Sequence, residues 1–191
     1  MIDIIKKWIN PEKNAELLSI ADIESPNLPV LWLLGKTGSG KSSLIQSLTH
    51  LTTVEIGNGF APCTPSSLAY DFPQRQPILR FLDTRGLGEA SYDPMEDIEL
   101  CSEQGHVLMI VAKIDEPEQS SVVNALKNIR KIKNFKHLLI IHTAVNHYSE
   151  GDKRRMVAYN QTQFEAAWDQ GNIQSIAVDF DCDSHEYFHR N

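Results

Sequence analysis

Leu28-Pro29-Val30-Leu31-Trp32-Leu33-Leu34-Gly35-Lys36-Thr37-Gly38-Ser39-Gly40-Lys41-Ser42 carries an apolar run into the pattern G-x-x-x-x-G-K-[ST], and Ser43-Leu44-Ile45-Gln46-Ser47-Leu48 follows with apolar residues at helical spacing. The pattern has chemical meaning only when a buried strand delivers it to a helix N-terminus, where unpaired N–H groups and the positive end of the helix dipole meet an anion. Both flanks are present here. Gly35, Gly38 and Gly40 let the backbone take conformations closed to residues with a Cβ, so that N–H groups turn inward around a phosphate. Lys41 would reach the outer phosphates and the Ser42 hydroxyl would face a Mg²⁺ ion, with Lys36, Thr37, Ser39 and Ser43 completing the lining.

Working outward, the 191 residues suit one domain with a sizeable core. The 18 basic and 25 acidic residues give a formal charge of −7, which argues against a general nucleic-acid-binding surface. Cys63, Cys101 and Cys182 cannot pair completely and show no metal spacing, as expected of a reducing compartment. The runs Val107 to Ala112 and Leu138 to Ile141 fall far short of the ~20 residues that span a bilayer. With no basic-then-apolar leader at the N-terminus, the expected location is cytoplasmic.

Residues 1–27 read as a helical extension before a domain at 28–191. Ile2, Ile5, Trp8 and Ile9 share one side of a short amphipathic helix that Asn10-Pro11 ends, and a second helical segment fits Glu12 to Ala21. Trp8 with Lys6 and Lys7 would suit peripheral membrane or partner contact, although two lysines supply only ~1 kcal/mol each toward anionic lipid; the alternative is packing on the chain's own domain. After the motif helix, Leu51 to Ser67 reads as a long loop. Leu68 to Phe72 and Ile78 to Leu82 then alternate as a β-hairpin.

Asp83-Thr84-Arg85-Gly86 closes that hairpin. An acid at the C-terminal end of a buried strand lies where ligands bind in open α/β sheets. Asp83 there could hold Mg²⁺ through water, and the Gly86 N–H could meet a terminal phosphate. Downstream, helices at Tyr92 to Glu103 (Asp93 a cap, Pro94 in the first turn), Pro117 to Lys131 and Asp152 to Trp168 alternate with buried strands at Gly105 to Lys113, Lys136 to Thr143 and Ile173 to Phe180. Such alternation predicts an α/β fold, a largely parallel sheet covered on both faces. In the last helix Met156, Tyr159, Phe164 and Trp168 are expected to pack on the core.

The order of Gly35 to Ser42, a threonine in the following loop, and Asp83 to Gly86 resembles the domains of Era-like, septin-like, immunity-related and dynamin-like GTPases over about Leu28 to Phe180. The resemblance implies a three-layer P-loop NTPase fold of the small-GTPase kind, GTP and GDP as ligands, and Mg²⁺ held by Ser42, Thr64 and Asp83. It implies catalytic roles for Lys41, Thr64, Arg85 and Gly86, with Thr64, favoured over Thr52 and Thr53 because Pro62 and Pro65 stiffen the backbone around it, as the residue that closes on the terminal phosphate, and Arg85 either a source of charge stabilisation or a solvated loop cation. His142-Thr143-Ala144-Val145-Asn146-His147 falls where such proteins read the base. Thr143 matches their pattern, whereas Ala144 replaces a lysine and Asn146 an aspartate. An amide offers one acceptor and one donor where a carboxylate offers two acceptors, and a mismatch with guanine N1–H would cost ~1–3 kcal/mol. His142 and His147 are further candidates for stacking on the base, against the commoner reading of such flanking histidines as ordinary surface residues.

Leu87 stands where signalling relatives carry a water-orienting glutamine, so hydrolysis is expected to be slow without an activator, an effector or a second copy of the chain across the nucleotide face. Two rivals remain beside this GTPase reading: a nucleotide-binding scaffold with vestigial hydrolysis, and an ATP-using P-loop NTPase.

Overall fold

The computed structural model describes residues 28–49, 62–64, 67–88, 94–168 and 172–178. The N-terminal extension at 1–27 and most of the long loop lie outside them. Strands β1 (Val30–Leu34), β2 (Pro62–Thr64), β3 (Ser67–Phe72), β4 (Leu79–Thr84), β5 (Val107–Lys113), β6 (His137–Thr143) and β7 (Asn172–Ala177) form one sheet in the order β2-β3-β4-β1-β5-β6-β7. From β4 to β7 the pairing is parallel, while β3 runs antiparallel to β4 and β2 antiparallel to β3. Helices α1 (Lys41–Thr49), α2 (Met95–Gln104), α3 (Ser120–Ile132) and α4 (Glu150–Trp168) connect the strands.

The central strands are apolar on both faces because both are covered. Trp32, Leu34, Leu108, Ile110 and Ile140 pack with Ile98 and Cys101 of α2, Val122, Leu126 and Ile129 of α3, and Phe164 and Trp168 of α4. Leu33, Met109, Val111 and Ile141 face the other way, against Leu44 and Ile45 of α1. On this second side Leu31, Leu79, Val107 and Leu139 are only partly buried, and α1 is the covering helix among the described residues.

Several boundaries differ from the sequence expectation for local reasons. Pro62 to Thr64, expected in a loop, form an edge strand paired with Ser67 and Leu68. Helix α2 starts at Met95, with Pro94 in the N-cap position and Asp93 outside the described residues. Helix α3 starts at Ser120, not Pro117, because the Glu118 carboxylate accepts the Ser120 N–H (2.9 Å) and so stops the helix there. Helix α4 begins at Glu150 after Ser149, whose hydroxyl accepts the Asp152 N–H (3.3 Å) and donates to the Asp152 carboxylate (2.6 Å). Tyr159 is exposed rather than in the core, and Asn160 is buried beside it. Among the described residues, no helix is long and apolar enough to cross a membrane.

His142 is not a surface residue. It is a fully buried side chain of β6 whose Nε2 meets the Ser175 hydroxyl at 2.9 Å. Burial pulls its pKa down from 6.5 to about 4. Between those values the unfolded chain takes up a proton that the folded chain refuses, so this contribution to stability is complete above pH 6.5 and falls away as pH drops toward 4. The loss is on the order of 3 kcal/mol. Urea unfolding across that range should show a stability slope that flattens in His142→Gln; an unchanged slope would mean the imidazole does not stay neutral in the fold.

Candidate functional site

Strand β1 ends at Leu34 and α1 begins at Lys41, so residues 35–40 must reverse the chain within a tight loop. Gly38 and Gly40 take positive φ (+73° and +97°) on either side of buried Ser39, backbone conformations that favour glycine. A Cβ on Gly35 would run into the Val111 carbonyl oxygen of β5 and come within 2.7 Å of the Ser39 hydroxyl. Lys41 is buried, its ammonium donating to the carbonyls of Gly35 (3.1 Å) and Lys36 (3.2 Å). Phosphate oxygens are stronger, charged acceptors for the same ammonium.

Strand β4 brings Asp83 to the first turn of α1. The Ser42 hydroxyl donates to Asp83 Oδ2 at 2.8 Å, while Asp83 Oδ1 is buried without a partner. Burial raises the carboxyl pKa; the Ser42 hydrogen bond and the charge of Lys41 oppose that shift. Thr84 turns the other way and donates to the Leu33 carbonyl at 2.8 Å, locking β4 to β1. A hydroxyl and a half-satisfied carboxylate at a helix start fit Mg²⁺, which takes one or two protein oxygens and leaves its remaining positions to water and phosphate. The described residues hold no group of three or more His, Cys, Asp or Glu able to bind a metal without such help.

The segment after Asp83 is stitched to the loop. Leu87 N–H donates to the Gly35 carbonyl (3.0 Å), and Thr37 N–H donates to the Leu87 carbonyl (3.3 Å). Gly86 lies so close to Thr37 that a Cβ would collide with its backbone. The Leu87 side chain is 3% exposed within the main core. Arg85 is exposed. Thr64 is not gathered with Ser42 and Asp83: it pairs with Ser67, which pairs with Thr84, so it stands two strand spacings out, about 10 Å.

On the other side, β6 delivers Thr143, whose hydroxyl donates to the Ser39 carbonyl at 2.7 Å and whose methyl lies against Gly40. Ala144 then adopts φ +58°, Val145 is buried, and Asn146 and His147 are exposed. Ser43 is exposed on the first turn of α1. Sequence reading missed Asp115, Glu116 and Glu118, which reach Tyr148 and Lys36 from the β5–α3 connection. Nothing local marks them, since the Lys36–Glu118 contact joins residues 82 apart.

This is the architecture of a P-loop nucleotide-binding domain. Residues 30–160 match the family described as 50S ribosome-binding GTPase, and the chain belongs to that GTPase family. No curated protein matches it by sequence. Among solved structures, Toc33 from Arabidopsis thaliana, a dimerization-deficient mutant, is similar at TM-score 0.61 and 18% identity over 80% of this chain and 71% of that one. The bacterial selenocysteine-specific elongation factor EF-Sec is similar at TM-score 0.60 and 17% identity over 80% of this chain and 25% of that one. A Sar1-type GTP-binding protein from Encephalitozoon cuniculi, in complex with GDP, reaches 0.55 at 10% identity over 79% and 69%. At these identities the likeness is one of fold.

Because the Val111 carbonyl cannot yield without disturbing the β1–β5 pairing, Gly35→Ala should cost about 1–3 kcal/mol in urea unfolding. A wild-type midpoint would show that the loop has room there.

Proposed function

We propose that this domain is a Mg²⁺-dependent GTP-hydrolysing switch whose turnover is slow in isolation. The observation that carries the reading is the convergence of Ser42 and Asp83 at 2.8 Å beside buried Lys41. Lys41 would exchange its two backbone carbonyls for the outer phosphates, and backbone N–H groups between Gly35 and Ser43, other than those of Thr37 and Ser39 that already donate to the Leu87 and Lys36 carbonyls, would bind the phosphate chain. Mg²⁺, when bound, supplies charge neutralisation between the outer phosphates, with Ser42 and Asp83 holding it from the protein side. Thr64 would join that set only after β2 moves inward, and a γ-phosphate that draws in Thr64 and the Gly86 N–H would order both segments, as in order–disorder switches generally. Asn146 would face the base, with Thr143 holding the turn against the phosphate loop through its bond to the Ser39 carbonyl.

Slow turnover follows from Leu87. Its side chain is aliphatic and buried in the core, so it cannot orient an attacking water. Arg85, exposed on the same segment, is the in-chain candidate for charge stabilisation. A partner's arginine typically adds 10³–10⁵ in rate in such systems. That requirement also supports a second reading, a nucleotide-dependent scaffold that pairs with another copy across the nucleotide face; the dimerization named for the similar Toc33 structure is consistent with it.

Competition of GTP, ATP and xanthosine triphosphate for the purified domain with Mg²⁺, followed by single-turnover hydrolysis, tests the choice. GTP should bind best. Binding of ATP alone would overturn the proposal, and GTP binding without any turnover would favour the scaffold. Lys41→Ala should abolish triphosphate binding while leaving the circular dichroism spectrum intact. Asp83→Asn should remove most of the Mg²⁺ dependence of binding. Asn146→Asp should tighten GTP binding by about tenfold, the gain from replacing a mismatched donor; an unaltered affinity would show that Asn146 does not face the base.

A further inference from the structure

The two halves of the nucleotide face, the phosphate loop and the turn after β6, are joined by the connection between β5 and α3. At one end Lys36 reaches it. The Lys36 ammonium lies 2.5 Å from the Glu116 carboxylate and 3.2 Å from that of Glu118, and donates to the Glu118 carbonyl at 3.1 Å. The Lys36 carbonyl meanwhile accepts from Lys41 (3.2 Å). At the other end the Tyr148 hydroxyl donates to the Asp115 carboxylate (3.1 Å), and the Ile114 N–H donates to the Thr143 carbonyl (3.0 Å).

The connection is also pinned from beneath. Buried Asn160 of α4 directs its amide N–H groups at the carbonyls of Lys113 and Ile114 (3.4 Å each), and Gln163 donates to the Pro117 carbonyl (3.0 Å). The Glu118 carboxylate accepts from the hydroxyl and N–H of Ser120, contacts that with Lys36 hold its pKa below the usual carboxylate range. A lone surface ion pair carries little energy. Here one ammonium has three acceptors on a segment whose next residues hold the base-side turn, so its effect falls on placement rather than stability.

We propose that residues 114–118 act as a bracket that couples the phosphate loop to the base-side turn, with Lys36 a positioning residue whose grip on Glu116 and Glu118 helps set where Thr143 to Tyr148 meet the base. The inference rests on reading this face as the nucleotide site. Loosening the phosphate end should then degrade recognition of the base, which Lys36 itself does not touch. GTP and ITP differ only in the 2-amino group, so their affinity ratio reports base-side alignment.

Equilibrium titration of the whole chain with fluorescent GTP and ITP tests this. Lys36→Met, and separately the double variant Glu116→Gln/Glu118→Gln, should weaken GTP by about threefold more than ITP, a coupling of the size seen between residues in one network. Tyr148→Phe should narrow the same ratio, and combining it with Lys36→Met should add little further. Lys131→Met, a surface change on α3, should leave the ratio alone, and thermal melts should show that all variants fold. Equal loss of GTP and ITP affinity in Lys36→Met, or strict additivity with Tyr148→Phe, overturns the bracket while leaving the site reading intact. Failure of the unmodified chain to bind either nucleotide overturns the site reading and the bracket with it.

Discussion

Strand β1 is hydrogen-bonded in parallel to β4 along one edge and to β5 along the other, and the geometry of the nucleotide end descends from that double pairing. It presses Gly35 against the Val111 carbonyl, where no side chain fits. It sets Thr84 where its hydroxyl can reach the Leu33 carbonyl, which leaves the preceding carboxylate of Asp83 pointing to the start of α1. One strand further out, β6 sends the Thr143 hydroxyl back onto the Ser39 carbonyl. Three loops are thus brought to one end of the sheet by one set of backbone ladders, the arrangement expected where parallel strands end together.

Leu87 ties the segment after Asp83 to the core. Burying such a side chain contributes about 1.5–3 kcal/mol, and its backbone adds a two-bond parallel bridge to Gly35 and Thr37. Both effects hold the segment after Asp83 against the phosphate loop. Asp83 lies in an opposing tension, since burial disfavours its charge while Ser42 and Lys41 favour it. A buried oxygen without a partner is costly to keep.

Charge is distributed to match. The chain is acidic overall at −7, and Lys36, the residue after the first glycine of the loop, has its charge matched by two carboxylates. Lys36 therefore contributes placement more than field, whereas the Lys41 ammonium donates to two neutral carbonyls, weaker acceptors than a phosphate oxygen. In the turn after β6 the exposed Asn146 follows a left-handed Ala144, while the Thr143 hydroxyl is anchored on the Ser39 carbonyl.

The phosphate loop, the parallel α/β class, the hairpin before Asp83 and the apolar face of α3 were all legible in the sequence, because each depends on spacing within a few residues: glycines where backbone must turn, apolar runs where strands are covered twice, and a repeat of three to four residues where a helix meets the core. Exact helix starts were less legible, since Glu118 and Ser149 compete with proline and aspartate signals nearby. The burial of His142, the exposure of Tyr159, the edge strand that carries Thr64 and the contacts of Lys36 with Glu116 and Glu118 were decided by tertiary structure alone. Each depends on which strand or helix lies alongside, a choice made by the packing of the whole sheet between residues far apart in the chain, and no short stretch of sequence encodes it.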